Sequence, residues 1–289
     1  MSIFASIDGV ISPGHEARVS VLDNGFTFGD GVYETLRTYD RRPLLLGPHI
    51  ARLRASADRL GITIPDGDGV LRERLGALLD RAGHKDSFIR IIVTRGVGDI
   101  SYNFGRVKGP TVVMVVKPFE TYPEGHYTEG IALVVVAVRR NHPLALDPAI
   151  KSCNLLNNIL AVRETQARGA HEAILLNDRG EVAECASSNI FAVRGGRVVT
   201  PPLSAGILAG ITRAAVMEVG REVGVEMIEE TLSVADVSAA DEVFITSSLK
   251  EAMPVRTIDG RTIGAGRPGP VTVKLLQAFR AALPRLCER

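Results

Sequence analysis

The stretch EAILLNDRGEVAECASSNIFAVRGGRVVT, residues 172–200, carries two hairpin signals in succession. Residues 172–177 and 181–186 alternate around the turn Asp178-Arg179-Gly180, and residues 189–193 and 197–200 flank Gly195-Gly196. Short alternating runs joined by such turns read as antiparallel strand pairs. Working outward, the apolar run 131–138 predicts a buried strand, residues 225–231 and 241–247 predict two more, and Asp259-Gly260 marks a further hairpin. Helices are expected over 153–168, closed by Gly169, and over 211–223 and 270–283. Strands outnumber crossover helices. The expected fold class is therefore α+β, with a mixed barrel or wrapped sheet in this half and not a doubly wound parallel sheet.

The first half reads differently. Residues 2–11 and 16–22 predict short strands around Ser12-Pro13-Gly14, Asp23-Asn24-Gly25 predicts a turn, and residues 28–39 predict a tight loop feeding a strand. Ile50, Leu53, Ala57 and Leu60 recur at helical spacing, with Pro48 at the entry and Gly61 just past the end. A second helix is expected over 69–82, and strands over 88–94 and 111–117 enclose the glycine-containing loop 95–104. Residues 118–130, with a second proline, two glycines and little aliphatic content, make the best linker. The expected division is a small α+β domain at 1–117, an interdomain linker at 118–130 and a large domain at 131–289.

Composition narrows the function classes. A chain of 289 residues with 45% hydrophobic and 23% charged residues can bury substantial cores. A net charge of +1 provides no long-range field for nucleic acid or an anionic membrane, so neither is an expected partner. Cys153, Cys185 and Cys287 show neither a disulfide framework nor zinc-ligand spacing, and no metal is expected. No apolar run approaches the length of a membrane span, and the first residues lack the pattern of a secretory signal. A soluble, cytoplasmic protein is expected.

Five features could carry chemistry. Lys151, in Ile150-Lys151-Ser152-Cys153-Asn154-Leu155-Leu156, could hold an aldehyde as a Schiff base if its amine were desolvated. Taken alone it reads as a snorkelling lysine. Gly206-Ile207-Leu208-Ala209-Gly210-Ile211-Thr212-Arg213 places two glycines and a hydroxyl before a helix, with Thr212 as the N-cap. Such a helix start suits a phosphate, although an ordinary capped helix is the stronger reading of that segment by itself. Thr246-Ser247-Ser248 gathers hydroxyls at a strand end, or is a solvated turn, and Arg52 could add a fixed cation or face solvent. Glu184 could hold a ring nitrogen protonated, or be a solvated strand residue. Amine, carboxylate, helix terminus and cation together are what pyridoxal 5′-phosphate requires.

Phe28-Gly29-Asp30-Gly31-Val32-Tyr33-Glu34, His49-Ile50-Ala51-Arg52-Leu53, Lys151-Ser152-Cys153-Asn154-Leu155-Leu156, Glu184-Cys185-Ala186-Ser187-Ser188-Asn189-Ile190-Phe191, Gly210-Ile211-Thr212-Arg213 and Asp241-Glu242-Val243-Phe244 follow one another along the chain. In that order they resemble the fold-type IV, class IV pyridoxal-phosphate aminotransferases over nearly the whole length. The resemblance implies that Lys151 forms the Schiff base and is the catalytic residue, that Glu184 pairs with the pyridine nitrogen, and that Arg52, Ile211, Thr212 and Ser248 hold the phosphate. It implies substrate contacts from Phe28, Tyr33, Arg90, Arg95 and Ser247. Amino acids and 2-oxo acids would be the substrates, in a ping-pong cycle on a homodimer whose loops complete each neighbouring site. His49 is expected to pack or hydrogen-bond, not to act as an acid.

Phe88-Ile89-Arg90 is similar to the pattern by which branched-chain enzymes hold the glutamate side-chain carboxylate, and Val255-Arg256-Thr257-Ile258-Asp259-Gly260 is similar to their C-terminal segment. L-branched-chain donors with 2-oxoglutarate as acceptor are therefore expected. The alternative is a D-amino-acid transaminase, which Arg95-Gly96 and Leu155 resemble. Val97 stands where that family's partner histidine is expected, and Thr35 stands where branched-chain enzymes commonly have glycine. Aminodeoxychorismate lyase ranks third, with Ile100 at its loop arginine and Ser152 in place of the histidine after lysine. A cofactor-binding protein without catalysis remains as a different class of answer.

Overall fold

A computed structural model describes residues 2–288, and the chain divides into two compact units. The first comprises Met1–Glu120, Ile150–Asn154 and Arg285–Arg289; the second comprises Thr121–Ala149 and Leu155–Pro284.

In the first unit, β1 (Phe4–Ile7) and β2 (Val10–Pro13) form a hairpin. Its turn is Asp8-Gly9, with φ of 51° and 92°, the left-handed pair a two-residue hairpin needs. That Asp-Gly signal ends the expected strand 2–11 midway, and residues 16–22 form no strand. Asp23-Asn24-Gly25 opens a short helix, α1 (Asn24–Phe28), because the Asp23 carboxylate accepts the Gly25 N–H at 2.8 Å. β3 (Gly31–Tyr39), β4 (Arg42–Pro43), α2 (Leu46–Arg59), α3 (Asp68–Ala82), β5 (Ser87–Thr94) and β6 (Thr111–Pro118) complete the unit. The sheet is antiparallel in the order β2-β1-β6-β5-β3-β4. Alternation sends Val32 and Leu36 of β3, and Ile89, Ile91 and Val93 of β5, into one core with Ile50 and Leu53 of α2 and Leu71, Leu75 and Leu78 of α3. Tyr33 and Thr35, and Phe88 and Arg90, consequently lie on the opposite face of the sheet.

In the second unit, α4 (Gly125–Thr128) falls within residues 118–130 and precedes β7 (Ile131–Val135), α5 (Pro143–Leu146) and α6 (Leu156–Ala167). The helix expected from 153 starts only at Leu156, because the Cys153 N–H donates to Gly31 O at 2.7 Å within the first unit. The opening stretch forms β8 (Glu172–Leu176), β9 (Val182–Cys185), β10 (Asn189–Arg194) and β11 (Arg197–Thr200), paired antiparallel as β8–β9 and β10–β11. Then follow α7 (Ile211–Glu222), β12 (Met227–Glu229), α8 (Val234–Ser238), β13 (Glu242–Ser247), β14 (Glu251–Ile258), β15 (Arg261–Thr262) and α9 (Pro270–Leu286).

The order β12-β11-β10-β13-β14-β7-β8-β9, with β15 on β14, makes a mixed sheet. Only β11–β12, β7–β14 and β7–β8 are parallel, so the expectation of a wrapped, hairpin-rich sheet holds. α8 has no counterpart in the sequence reading, whereas the hairpin expected at Asp259-Gly260 is formed by β14 and β15. α8 is announced by a capping box between Ser233 and Asp236. Pro254 within β14 is tolerated because the ladder to β7 begins only at Val255. Phe191 and Phe244, opposite one another on β10 and β13, stack at 4.7 Å in the core. Among the described residues no helix is long and apolar enough to cross a membrane.

Candidate active site

In the first unit the chain passing through Lys151 is clamped along the outer edge of β3. The Tyr33 N–H donates to Lys151 O at 2.9 Å, Val32 and Ser152 form a bridge, and the Lys151 N–H donates to Ser56 Oγ at 3.2 Å. This frame sets the Lys151 ammonium 4.5 Å from the centroid of the Tyr33 ring. The Arg90 guanidinium stands 4.6 Å from the same centroid. Arg90 Nε is buried without a hydrogen-bond partner among the described residues.

Glu34 points to the opposite face from Tyr33, where α2 crosses the sheet, and both its oxygens are engaged. His49 Nδ1 and Arg52 Nη2 reach Oε2 at 2.7 and 2.8 Å, and Arg52 Nε reaches Oε1 at 2.7 Å. Burial alone would raise the pKa of Glu34, but the Arg52 and His49 hydrogen bonds outweigh it and hold the carboxyl at about 2. Burial pushes His49 down against the pull of Glu34, so the imidazole is neutral and donates from Nδ1 to a carboxylate that can only accept. His49 hydrogen-bonds, as expected. Arg52 has its Nε and Nη2 on Glu34, which fixes the guanidinium plane.

An expected outcome follows for pH. The carboxyl titrates near 4.5 when unfolded and at about 2 when folded, so Glu34 contributes about 3 kcal/mol above pH 4.5, most of it lost between pH 4.5 and 2. Urea unfolding of wild type and Glu34→Gln at pH 5 and pH 2.5 checks this: wild type should lose more stability than the variant, and equal losses would refute it.

Arg95 is occupied within the protein. Nε and Nη2 bind Asp30 at 2.5 and 3.1 Å, Nη2 also reaches Leu60 O at 2.8 Å and Nη1 reaches Gly61 O at 3.2 Å, while the guanidinium packs 4.1 Å from the Phe104 ring centroid. Phe28, at the end of α1, packs its ring at a tilt against Tyr102, with centroids 5.3 Å apart.

The second unit assembles a different set. Buried Glu184, on β9, accepts Arg140 Nε on Oε1 at 2.8 Å, and the Leu208 N–H and Asn189 Nδ2 on Oε2 at 3.1 and 3.4 Å. Asn189 also donates to Leu208 O at 3.1 Å, which ties the carboxylate to the loop entering α7. The N-cap of α7 is Gly210, not Thr212, and no side chain caps it. Only glycine fits there, since a Cβ would lie 1.9 Å from Asn189 Oδ1. The first turn therefore offers the N–H groups of Ile211 and Thr212 to an anion. Buried Thr212 has its Oγ1 3.4 Å from Ser248 Oγ, and Thr246 Oγ1 is buried without a partner among the described residues. Ser247 Oγ accepts the Lys250 N–H at 3.2 Å. Lys250 Nζ, largely shielded from solvent, donates to Glu172 Oε2 and Ser187 Oγ, both at 2.6 Å, and to Ser188 Oγ at 3.2 Å.

Residues 31–258 match the family described as class IV amino-transferases. The chain belongs to the class IV aminotransferases. A Methanocaldococcus jannaschii protein provisionally named a branched-chain-amino-acid aminotransferase is 40% identical over 92% of this chain and 91% of its own. The D-alanine aminotransferase of Bacillus licheniformis is 36% identical over 93% of each chain. The branched-chain amino acid aminotransferase of Thermobaculum terrenum, solved in its PLP-form, is 26% identical and superposes with a TM-score of 0.87 over 97% of this chain and 93% of that one. The fold is that of these aminotransferases, with two sheets and helices packed on them.

Within this class IV chain the first unit brings Lys151, Tyr33 and Arg90 together and ties Arg52 to Glu34, while the second brings Glu184, Thr212 and Ser248 into one loop network. Arg140, Glu34 and the Lys250–Glu172 pair were missed. Glu34 was legible as an acid at a core-facing position of an alternating strand. Arg140 lies in irregular chain beyond β7 and carries no local signal.

Proposed function

We propose that this class IV chain is a transaminase that passes the amino group of L-branched-chain amino acids to 2-oxoglutarate, with pyridoxal 5′-phosphate as cofactor. One observation carries the reading: the Lys151 amine and the Arg90 guanidinium stand 4.5 and 4.6 Å from the centre of one ring, that of Tyr33, so an amine for the cofactor and a cation suited to a substrate carboxylate border the same side chain.

The residues fit the cofactor. Lys151 offers the amine for its aldehyde, Glu184 a buried carboxylate for its ring nitrogen, and the uncapped start of α7 with Thr212 and Ser248 a seat for its phosphate. Ile211 serves through its backbone N–H, and Arg52 adds the cation, its plane held by Glu34. When bound, the cofactor supplies an aldehyde that takes up the amino group and a protonated ring that draws electrons from the substrate Cα. Lys151 Nζ removes the Cα proton, and Glu184, oriented by Arg140, keeps the proton on the ring nitrogen. Tyr33 and Phe28 wall the substrate, and Arg90 binds the distal carboxylate of 2-oxoglutarate. Because one site serves both substrates in turn, the kinetics are ping-pong.

Leu155 and the Bacillus licheniformis likeness favour D-amino acids as the second reading. The engagement of Arg95 with Asp30, Leu60 and Gly61 speaks against its holding a substrate carboxylate. Exposed Phe26, Tyr102 and Phe104 support a homodimer whose loops complete the neighbouring site, and the three unpaired cysteines suit a reducing cytoplasm.

Transfer rates from L-leucine and from D-alanine to 2-oxoglutarate test the substrate. Activity with D-alanine alone overturns the branched-chain reading, and pyruvate release without an acceptor points to the lyase. Arg90→Met is expected to raise KM for 2-oxoglutarate on the order of 10–100-fold, the loss of a hydrogen bond between charged groups. An unchanged KM would remove Arg90 from the site.

A further inference from the structure

Thr35 and Arg90 stand opposite one another on the neighbouring antiparallel strands β3 and β5. Directly paired residues of such strands project from the same face with their Cβ atoms in close reach. Both are on the face that bears Tyr33, away from the core beneath α2 and α3. Two buried polar atoms there, Thr35 Oγ1 and Arg90 Nε, lack a hydrogen-bond partner among the described residues. Buried polar atoms in folded proteins are overwhelmingly bonded, so two orphans side by side point to a group that arrives from outside the chain.

The chemistry of the pair limits that group. A guanidinium nitrogen only donates, and a threonine hydroxyl can donate as well, so both are satisfied at once by one acceptor with two oxygens. Thr35 is also β-branched, which restricts χ1 and keeps the hydroxyl from turning freely to another partner. A carboxylate meets both demands, and the charge of Arg90 favours its ionised form.

We propose that Thr35 is a specificity-determining residue: its hydroxyl and Arg90 Nε jointly seat the distal carboxylate of dicarboxylic amino acids and 2-oxo acids. This rests on the proposed role of Arg90 and adds a second donor from this chain. Aliphatic substrates, which bring no second carboxylate, leave both donors unused. The hydroxyl therefore sharpens discrimination between the two substrates of the ping-pong cycle, because a site built to bond an oxygen rejects a ligand without one.

The test uses the holoenzyme and unreactive probes, glutarate for the dicarboxylates and 4-methylpentanoate for the aliphatic acids, with Kd read by calorimetry. Thr35→Val keeps the branched shape and removes the hydroxyl; it is expected to weaken glutarate roughly tenfold, the size of one bond to a charged group, and 4-methylpentanoate less than about twofold. Thr35→Ser should return glutarate to near the wild-type Kd. Unchanged glutarate binding in Thr35→Val overturns the proposal, and so does an equal loss for both probes, which would mean a distorted strand. Arg90→Met separates the two readings. If it weakens glutarate while Thr35→Val does not, only the Thr35 assignment falls; if neither variant changes glutarate binding, the carboxylate role of Arg90 falls with it.

Discussion

Lys151→Ala is expected to lower the rate of amino transfer at least ~10⁴-fold, the upper range for a positioned proton-transfer group, since Lys151 is assigned both cofactor attachment and the Cα proton. The fold should survive. Lys151 is held through its backbone, by Tyr33 N–H, Ser56 Oγ and the Val32–Ser152 bridge, and alanine keeps all of these. Borohydride reduction of the cofactor-loaded protein followed by peptide mass analysis is the measurement. Wild type should carry the reduced adduct on the peptide containing Lys151, and the variant should carry none. An adduct of equal yield at the same site in the alanine variant would show that another amine holds the aldehyde.

The largest effect on stability is expected at Lys250. Its ammonium is largely shielded by Glu172, Ser187 and Ser188, and Glu172 is itself buried. Burial pushes the Lys250 pKa down, yet the Glu172 charge prevails and lifts it above the ordinary value; burial pushes Glu172 up, yet Lys250 holds it below. The pair is therefore ionised. Lys250→Met leaves a buried carboxylate without its cation, a loss of about 3–5 kcal/mol. Lys250→Met with Glu172→Gln removes both charges and should recover most of it. Urea unfolding of the two variants decides the matter, and a single variant within about 1 kcal/mol of wild type would mean that Glu172 is solvated. The same ammonium joins the β9–β10 connection, which follows Glu184, to the β13–β14 connection, which holds Ser248. The single variant should therefore also bind the cofactor more weakly.

Much of the architecture was legible because it rests on local signals. The alternation in 172–200 and the Asp178-Arg179-Gly180 and Gly195-Gly196 turns specify strand pairs whose partners are neighbours in sequence. The core face of α2 was readable from Ile50, Leu53 and Ala57 for the same reason. Errors arose where a distant partner overrode a local preference. Residue 153 continues the helical spacing of the residues after it, but β3 holds residues 151–153 along its edge. Thr212 has the chemistry of an N-cap, yet it lies inside α7, which starts at Ile211 with Gly210 as its N-cap.

The candidate site divides along the same line. Residue type and order along the chain were enough for the resemblance to the class IV aminotransferases, the family that residues 31–258 match, and the roles proposed for Lys151, Arg52, Glu184 and the Gly210–Arg213 turn rest on that resemblance. Tertiary structure alone decided which arginine has donors to spare. Arg90 lies within the expected strand 88–94 and Arg95 just past its end, yet Arg95 is spent on Asp30 and two carbonyls while Arg90 keeps a buried Nε without a partner among the described residues, opposite Thr35. The physical reason is that hydrogen-bond satisfaction depends on partners 34 to 65 residues away, as with Arg95 and its Leu60, Gly61 and Asp30, and no local pattern encodes them.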